Sequence, residues 1–139
     1  MRRHALPTCL AAAALLLVTA CGGSIVDTSG LTRVEISTYQ ALPPPFGSKQ
    51  ATLTSPSSLA NFQKAIAADH IGVSASTTLG TGCAGGIQYT VVMDTGGETS
   101  TTLSEYSCAD QLTGNMTGDV SGFLTYLDGQ LSGTPSGQG

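Results

Sequence analysis

The 139 residues contain no tryptophan, only 5% aromatic side chains and only 10% charged ones. Charge this sparse excludes a chain held open by self-repulsion, and 40% hydrophobic residues suffice for a packed core. Five Lys and Arg against nine Asp and Glu leave a net charge of -4, without the basic footprint that nucleic-acid phosphates require. No C-x-x-C pair or His/Cys cluster occurs, which speaks against thiol redox catalysis and a zinc site. There is no G-x-S-x-G elbow for a serine nucleophile. No apolar run reaches the roughly 20 residues that span a bilayer as a helix; the longest, 9–20, has 12. What is plentiful is glycine, with 18 residues, in a chain of the length of one ordinary domain.

The N-terminus is the most specific part of the sequence. Residues 1–20 run from a basic start at Arg2 and Arg3 through an apolar centre to a small-residue end, the layout of a secretory signal. Val18-Thr19-Ala20-Cys21, followed by Gly22 and Gly23, resembles the lipobox of bacterial lipoproteins. That resemblance implies cleavage before Cys21 and a diacylglycerol on its thiol. It places an exported domain on the outer face of a bacterial cell membrane, or on an outer membrane in a diderm source. Two acyl chains hold a protein where one is marginal, at about 0.8 kcal/mol per buried methylene. Processing would leave Arg33, Lys49 and Lys64 against nine acidic residues, a net charge of -6.

Cys83 and Cys108 remain after Cys9 departs with the signal and Cys21 takes the lipid, and outside the cytoplasm such a pair reads as a disulfide. The segments 87–93 and 99–108 flank Asp94-Thr95-Gly96-Gly97 as a hairpin. A two-residue loop sets Cys83 opposite Cys108 but sends Leu103 to the face away from Tyr89 and Val91. A three-residue loop pairs Tyr89 with Leu103 instead. A bulge near Gly85-Gly86 would reconcile the two registers.

Elsewhere, residues 22–32 read as a polar tether, 34–39 alternate as a half-buried strand, 43–45 are three prolines in a connection, and 50–54 suggest another strand. Ser55-Pro56 opens a helix with Leu59, Phe62 and Ile66 on one face, ending near Gly72. Residues 73–86 and 110–118 read as loops, and Val120, Phe123, Leu124 and Leu127 mark a second helix. The expected fold is α+β, a small antiparallel sheet of about four strands with both helices on one face and one disulfide. The expected organisation is a signal peptide over 1–20, a lipidated N-terminus and tether over 21–33, one domain over 34–131 and a flexible tail over 132–139.

Candidate chemistry is thin. Val91-Val92-Met93-Asp94-Thr95-Gly96 resembles the active-site loop of retropepsin-like aspartic proteases, which would make Asp94 half of a carboxylate dyad. Gly97 departs from the Ala or Ser of that family, and Asp-Thr-Gly-Gly is also ordinary turn chemistry. Gly80-Thr81-Gly82-Cys83-Ala84-Gly85 fits G-x-G-x-x-G, but a strand follows it where a nucleotide site needs a helix. His70, beside Asp69, is the only histidine outside the signal and falls at a helix end, where imidazole meets free carbonyls. Asp110, Asn115 and Asp119 carry oxygen ligands without the spacing of a calcium loop. The sequon at Asn115 has no meaning in a bacterial lipoprotein. These observations favour a monomeric, non-enzymatic binding module for an extracellular protein or small molecule, attached to the membrane by its lipid, with no nucleic acid, metal or cofactor. The competing expectations are a small exported hydrolase acting through Asp94 and an inhibitor of extracellular enzymes.

Overall fold

The computed structural model describes residues 23–40, 47–75, 83–97, 99–109 and 111–133. The signal segment, Cys21, the three prolines, Gly80 to Gly82, Asp110 and residues 134–139 lie outside the described residues.

The chain is α+β, with two helices, two antiparallel sheets and one disulfide. The larger sheet has five strands in the order β3-β2-β5-β6-β7, namely β2 (Arg33–Gln40), β3 (Gly47–Leu53), β5 (Ile87–Asp94), β6 (Ser100–Cys108) and β7 (Gln111–Gly114). Four of these, β2, β3, β5 and β6, overlap the strands expected from the sequence. A second sheet joins three short strands, β1 (Gly23–Ile25), β4 (Gly72–Ser74) and β8 (Met116–Thr117). All three come from segments expected to be tether or loop. They are too short to show a period of two and owe their extension to their partners, Ser24 to Val73 and Val73 to Met116. The described part of the expected tether, residues 23–32, is therefore not free: Gly23 is already paired with Ser74, and Val26 is buried in the core.

One face of the larger sheet carries the core. Val34, Ile36, Ala51, Leu53, Tyr89, Val91, Met93 and Leu103 all point to it and are buried. The other face shows Ser37, Tyr39, Gln50, Thr90 and Thr102, the polar surface that strand alternation demands of a sheet wet on one side. Helix α2 (Val120–Ser132) packs over β2 and β3, burying Phe123, Leu124, Leu127 and Leu131, and α1 (Pro56–Ala68) packs against α2 with Leu59, Phe62 and Ile66. Phe62 meets Phe123 edge to face at 5.8 Å between ring centres.

Helix α1 starts as its sequence indicates: the Ser55 hydroxyl accepts the Ser58 N–H at 3.2 Å and Pro56 occupies the first turn. It stops four residues before Gly72 because His70, at φ 53, takes the left-handed position usually given to glycine. The His70 N–H donates to Ala67 O at 3.3 Å and Ile71 N–H to Ile66 O at 2.9 Å, closing a Schellman motif that buries Ile71 against Ile66. The start of α2 is built on this end. Asp119 N–H donates to Asp69 O at 2.8 Å, and the Asp119 carboxylate accepts Gly122 N–H at 3.0 Å as the N-cap. Gly118, at φ 100, leaves room for the His70 and Asp69 carbonyls where any Cβ would collide.

The hairpin register matches neither expectation. Val91 pairs with Leu103, Tyr89 with Glu105 and Asp94 with Ser100, so the connection is five residues, 95–99. This register shares the parity of the three-residue alternative, which keeps Leu103 on the core face with Val91, and the two extra residues enter the loop. Cys83 does not face Cys108 across the ladder. It opens a turn in which Gly86 N–H donates to Cys83 O at 3.1 Å and Gly85 sits at φ 86. From there it bridges to the end of β6, with a Cα–Cα separation of 6.1 Å, so no bulge is needed. Tyr106 holds the turn, its hydroxyl lying 3.2 Å from both Cys83 N and Cys83 O.

The bridge spans 25 residues, and the chain-entropy estimate for a loop of that size is about 3 kcal/mol. Reduction should lower the melting temperature while the far-UV circular dichroism of the folded state changes little. Two free thiols in the natively purified protein would contradict this.

Candidate functional site

A polar concavity lies where β5 begins, β6 ends and α2 passes by them. Ser121, Leu124, Thr125 and Asp128 recur on α2 at i, i+3, i+4 and i+7, a stripe beside the buried one of Phe123 and Leu127. With Tyr89, Ser107, Ala109 and Leu112 they line a cleft of about 420 Å³ that opens to solvent. Tyr89 points inward from β5 and is 4% exposed; its hydroxyl donates to the Asp128 carboxylate, with oxygen distances of 3.1 and 3.2 Å.

Burial pushes the Tyr89 phenol up to about 12, and the Asp128 charge and hydrogen bond push in the same direction. The phenol therefore keeps its proton at physiological pH and orients the carboxylate. Asp128 is exposed on its other side and retains lone pairs for a ligand. Thr125 Oγ1 donates to Ser121 O at 3.1 Å, leaving its oxygen as an acceptor. Leu112 is 38% exposed and adds an apolar patch. Among the described residues the cleft thus offers one charged acceptor, several hydroxyls and an apolar contact. Arg33, Lys49 and Lys64 are not among the residues lining it.

Of the residues singled out by sequence, Cys83 and Cys108 are brought together as a disulfide, while Asp94 and His70 lie apart from this cleft. Asp94 ends β5, half-buried, its place in the ladder flanked by Arg33 and Ser100. Its main-chain carbonyl accepts Thr32 N–H at 2.8 Å and Thr32 Oγ1 at 3.0 Å. His70 serves the end of α1 and lines a separate apolar recess with Ile66 and Ile71. Cys83 and Cys108 form the disulfide. Cys21 lies outside the described residues.

Asn115 is a structural staple. Its amide accepts Ser104 N–H at 2.7 Å and donates to Thr102 O at 3.0 Å, while its backbone accepts Ser74 N–H at 2.8 Å, tying the two sheets together. Asp119 caps α2. Among the described residues no group of three or more His, Cys, Asp or Glu is placed to hold a metal, and no helix is long and apolar enough to cross a membrane. Comparison with family models, with curated proteins and with solved structures finds no match for this chain.

Sequence reasoning missed both Tyr89–Asp128 and Glu105. The polar stripe on α2 and the inward position of Tyr89 were available as signals, but their meeting depends on how α2 crosses the sheet. Glu105 is 2% exposed on the core face, between Tyr89 of β5 and Gly114 of β7. It accepts the Met116 N–H, while Oε2 has no partner among the described residues. A side chain at Gly114 would collide with this carboxyl and with Ser104 O.

Burial raises the Glu105 pKa above its ordinary value of 4.5, and the Met116 hydrogen bond opposes this only in part. The folded state therefore binds the proton more tightly than the unfolded chain. The stability linked to this group is complete below about pH 4.5 and is lost as pH rises through the raised value. Glu105→Gln should raise the melting temperature more at pH 7 than at pH 4. Equal effects at both pH values in thermal melts would mean that the carboxyl titrates as it does in water.

Proposed function

We propose that this chain is a lipid-anchored lipoprotein of a bacterial envelope whose domain binds a small, uncharged, hydroxyl-bearing ligand, such as a sugar unit, in the Tyr89–Asp128 cleft. The observation that carries the binding reading is the cleft itself, a carboxylate fixed by a proton-holding phenol beside three hydroxyl side chains and an exposed leucine. Such a surface accepts hydrogen bonds from ligand hydroxyls and lays the C–H face of a ring on Leu112. Among the described residues no cationic side chain lines the cleft, which disfavours anionic ligands. Among the described residues its lining has one carboxylate, Asp128, whereas an aspartic dyad needs two that share a proton. The anchor reading is supported by Val18-Thr19-Ala20-Cys21 and by the Cys83–Cys108 bridge, since disulfides persist where thiols are not kept reduced.

Two measurements test the two halves. Intact-mass analysis of the membrane fraction should find a diacylglyceryl group on the wild type and none on Cys21→Ser; an unmodified wild-type N-terminus overturns the anchor. A thermal-shift screen against monosaccharides and soluble envelope-glycan fragments should find a ligand that raises the melting temperature. Asp128→Asn should then weaken binding about tenfold or more, since hydrogen bonds to a charged group contribute roughly 1.5–3 kcal/mol. Binding that is indifferent to both Asp128→Asn and Tyr89→Phe would place the ligand elsewhere.

A further inference from the structure

We propose that the corner of the domain formed by β1 and the end of α1 is a membrane-seating surface, with Ile25 lodged at the boundary between lipid headgroups and acyl chains. The inference rests on the lipid anchor at Cys21 and adds an orientation to it.

The argument begins with chain length. A residue spans at most about 3.6 Å, so Ile25 stands no more than about 14 Å from Cys21 whatever path the intervening residues take. Gly23 is already paired with Ser74, so the anchored residue has almost no slack before the folded body begins. An acylated Cys21 therefore brings this corner, and no other, against the bilayer.

The corner has the composition that such a position requires. Ile25 is 90% exposed, the most exposed large hydrophobic side chain among the described residues. Behind it lies a recess of about 340 Å³ whose lining includes Val26, Ile66, Ala67 and Ile71. An aliphatic side chain left in water is unfavourable, and moving it into the acyl boundary recovers that free energy. Asp27, two residues on, is fully exposed, and its carboxylate accepts Ser29 N–H at 2.8 Å. A charge so close to Ile25 limits the contact to a shallow one in which Ile25 enters the boundary and Asp27 stays in headgroup water.

The absence of tryptophan makes the test direct, because Ile25→Trp introduces a single reporter at a side chain that already faces solvent. The full chain is purified from membranes, its acylation verified by mass, and reconstituted into phosphatidylcholine vesicles containing acyl-brominated lipid. The Ile25→Trp emission should shift to shorter wavelength and be quenched by bromine. Tyr39→Trp, on the uncovered face of the larger sheet, should emit as in water and remain unquenched.

An acylated chain whose Ile25→Trp emission is water-like overturns the seating and leaves the anchor standing. Emission shielded from water but untouched by bromine means that a second copy covers Ile25, and overturns the seating as well. A chain without the lipid overturns both.

Discussion

The larger sheet has one apolar face, and α2 is the element that covers it. Phe123, Leu124, Leu127 and Leu131 form the stripe that lies on that face, and α1 reaches the core largely by packing Phe62 against Phe123. Fully burying an aliphatic or aromatic side chain contributes about 1.5–3 kcal/mol, so the four side chains of this stripe contribute substantially to the stability of the molecule. Because α2 must lie where its apolar residues meet the sheet, its neighbouring stripe of Ser121, Thr125 and Asp128 has no freedom of placement. The cleft is the flank of the helix that closes the core.

The placement of α2 is set at its first turn as well as along its length. The Schellman end of α1, the left-handed His70 and the cramped Gly118 bring the Asp69 carbonyl to the N–H of Asp119. His70 is thereby absorbed into architecture. A left-handed backbone disfavours a non-glycine residue by about 1–2 kcal/mol, and the paired hydrogen bonds and the burial of Ile71 offset it. Asn115 does the corresponding work for the sheets, joining β6 of the larger one to β4 of the smaller through both side chain and backbone. Glu105 opposes this consistency: a carboxyl on the core face with one oxygen unpartnered is a polar group retained at a cost in stability.

The two concavities have opposite characters. The cleft beside α2 is polar and rigidly floored by a phenol that stays protonated, as suits recognition of a soluble group. The recess behind Ile25 is apolar and lies within a few residues of Cys21, as suits contact with lipid. On the proposed reading, a domain held by a short connection at one corner would present the rest of its surface away from the bilayer, so the proposed anchoring and binding would not compete.

By itself the sequence determined the elements that carry a period. The alternation in β2, β5 and β6, the cap at Ser55-Pro56, the apolar stripes of both helices and the pairing of Cys83 with Cys108 could all be read from residue order, because each depends on neighbours within one or two turns or on the arithmetic of remaining thiols. Only the tertiary structure decided the rest. The hairpin register turned on Leu103 finding Val91, a contact between strands. The strands β1, β4 and β8 extend because of their partners and carry no pattern of their own. Asp94 and His70 carried the most suggestive sequence contexts, yet His70 takes the left-handed end of α1, and the hydrogen bonds at Asp94 run to its main-chain carbonyl. Tyr89 and Asp128 lie 39 residues apart and signal nothing until α2 crosses the sheet, because a site built from two elements exists only once packing has set the distance between them.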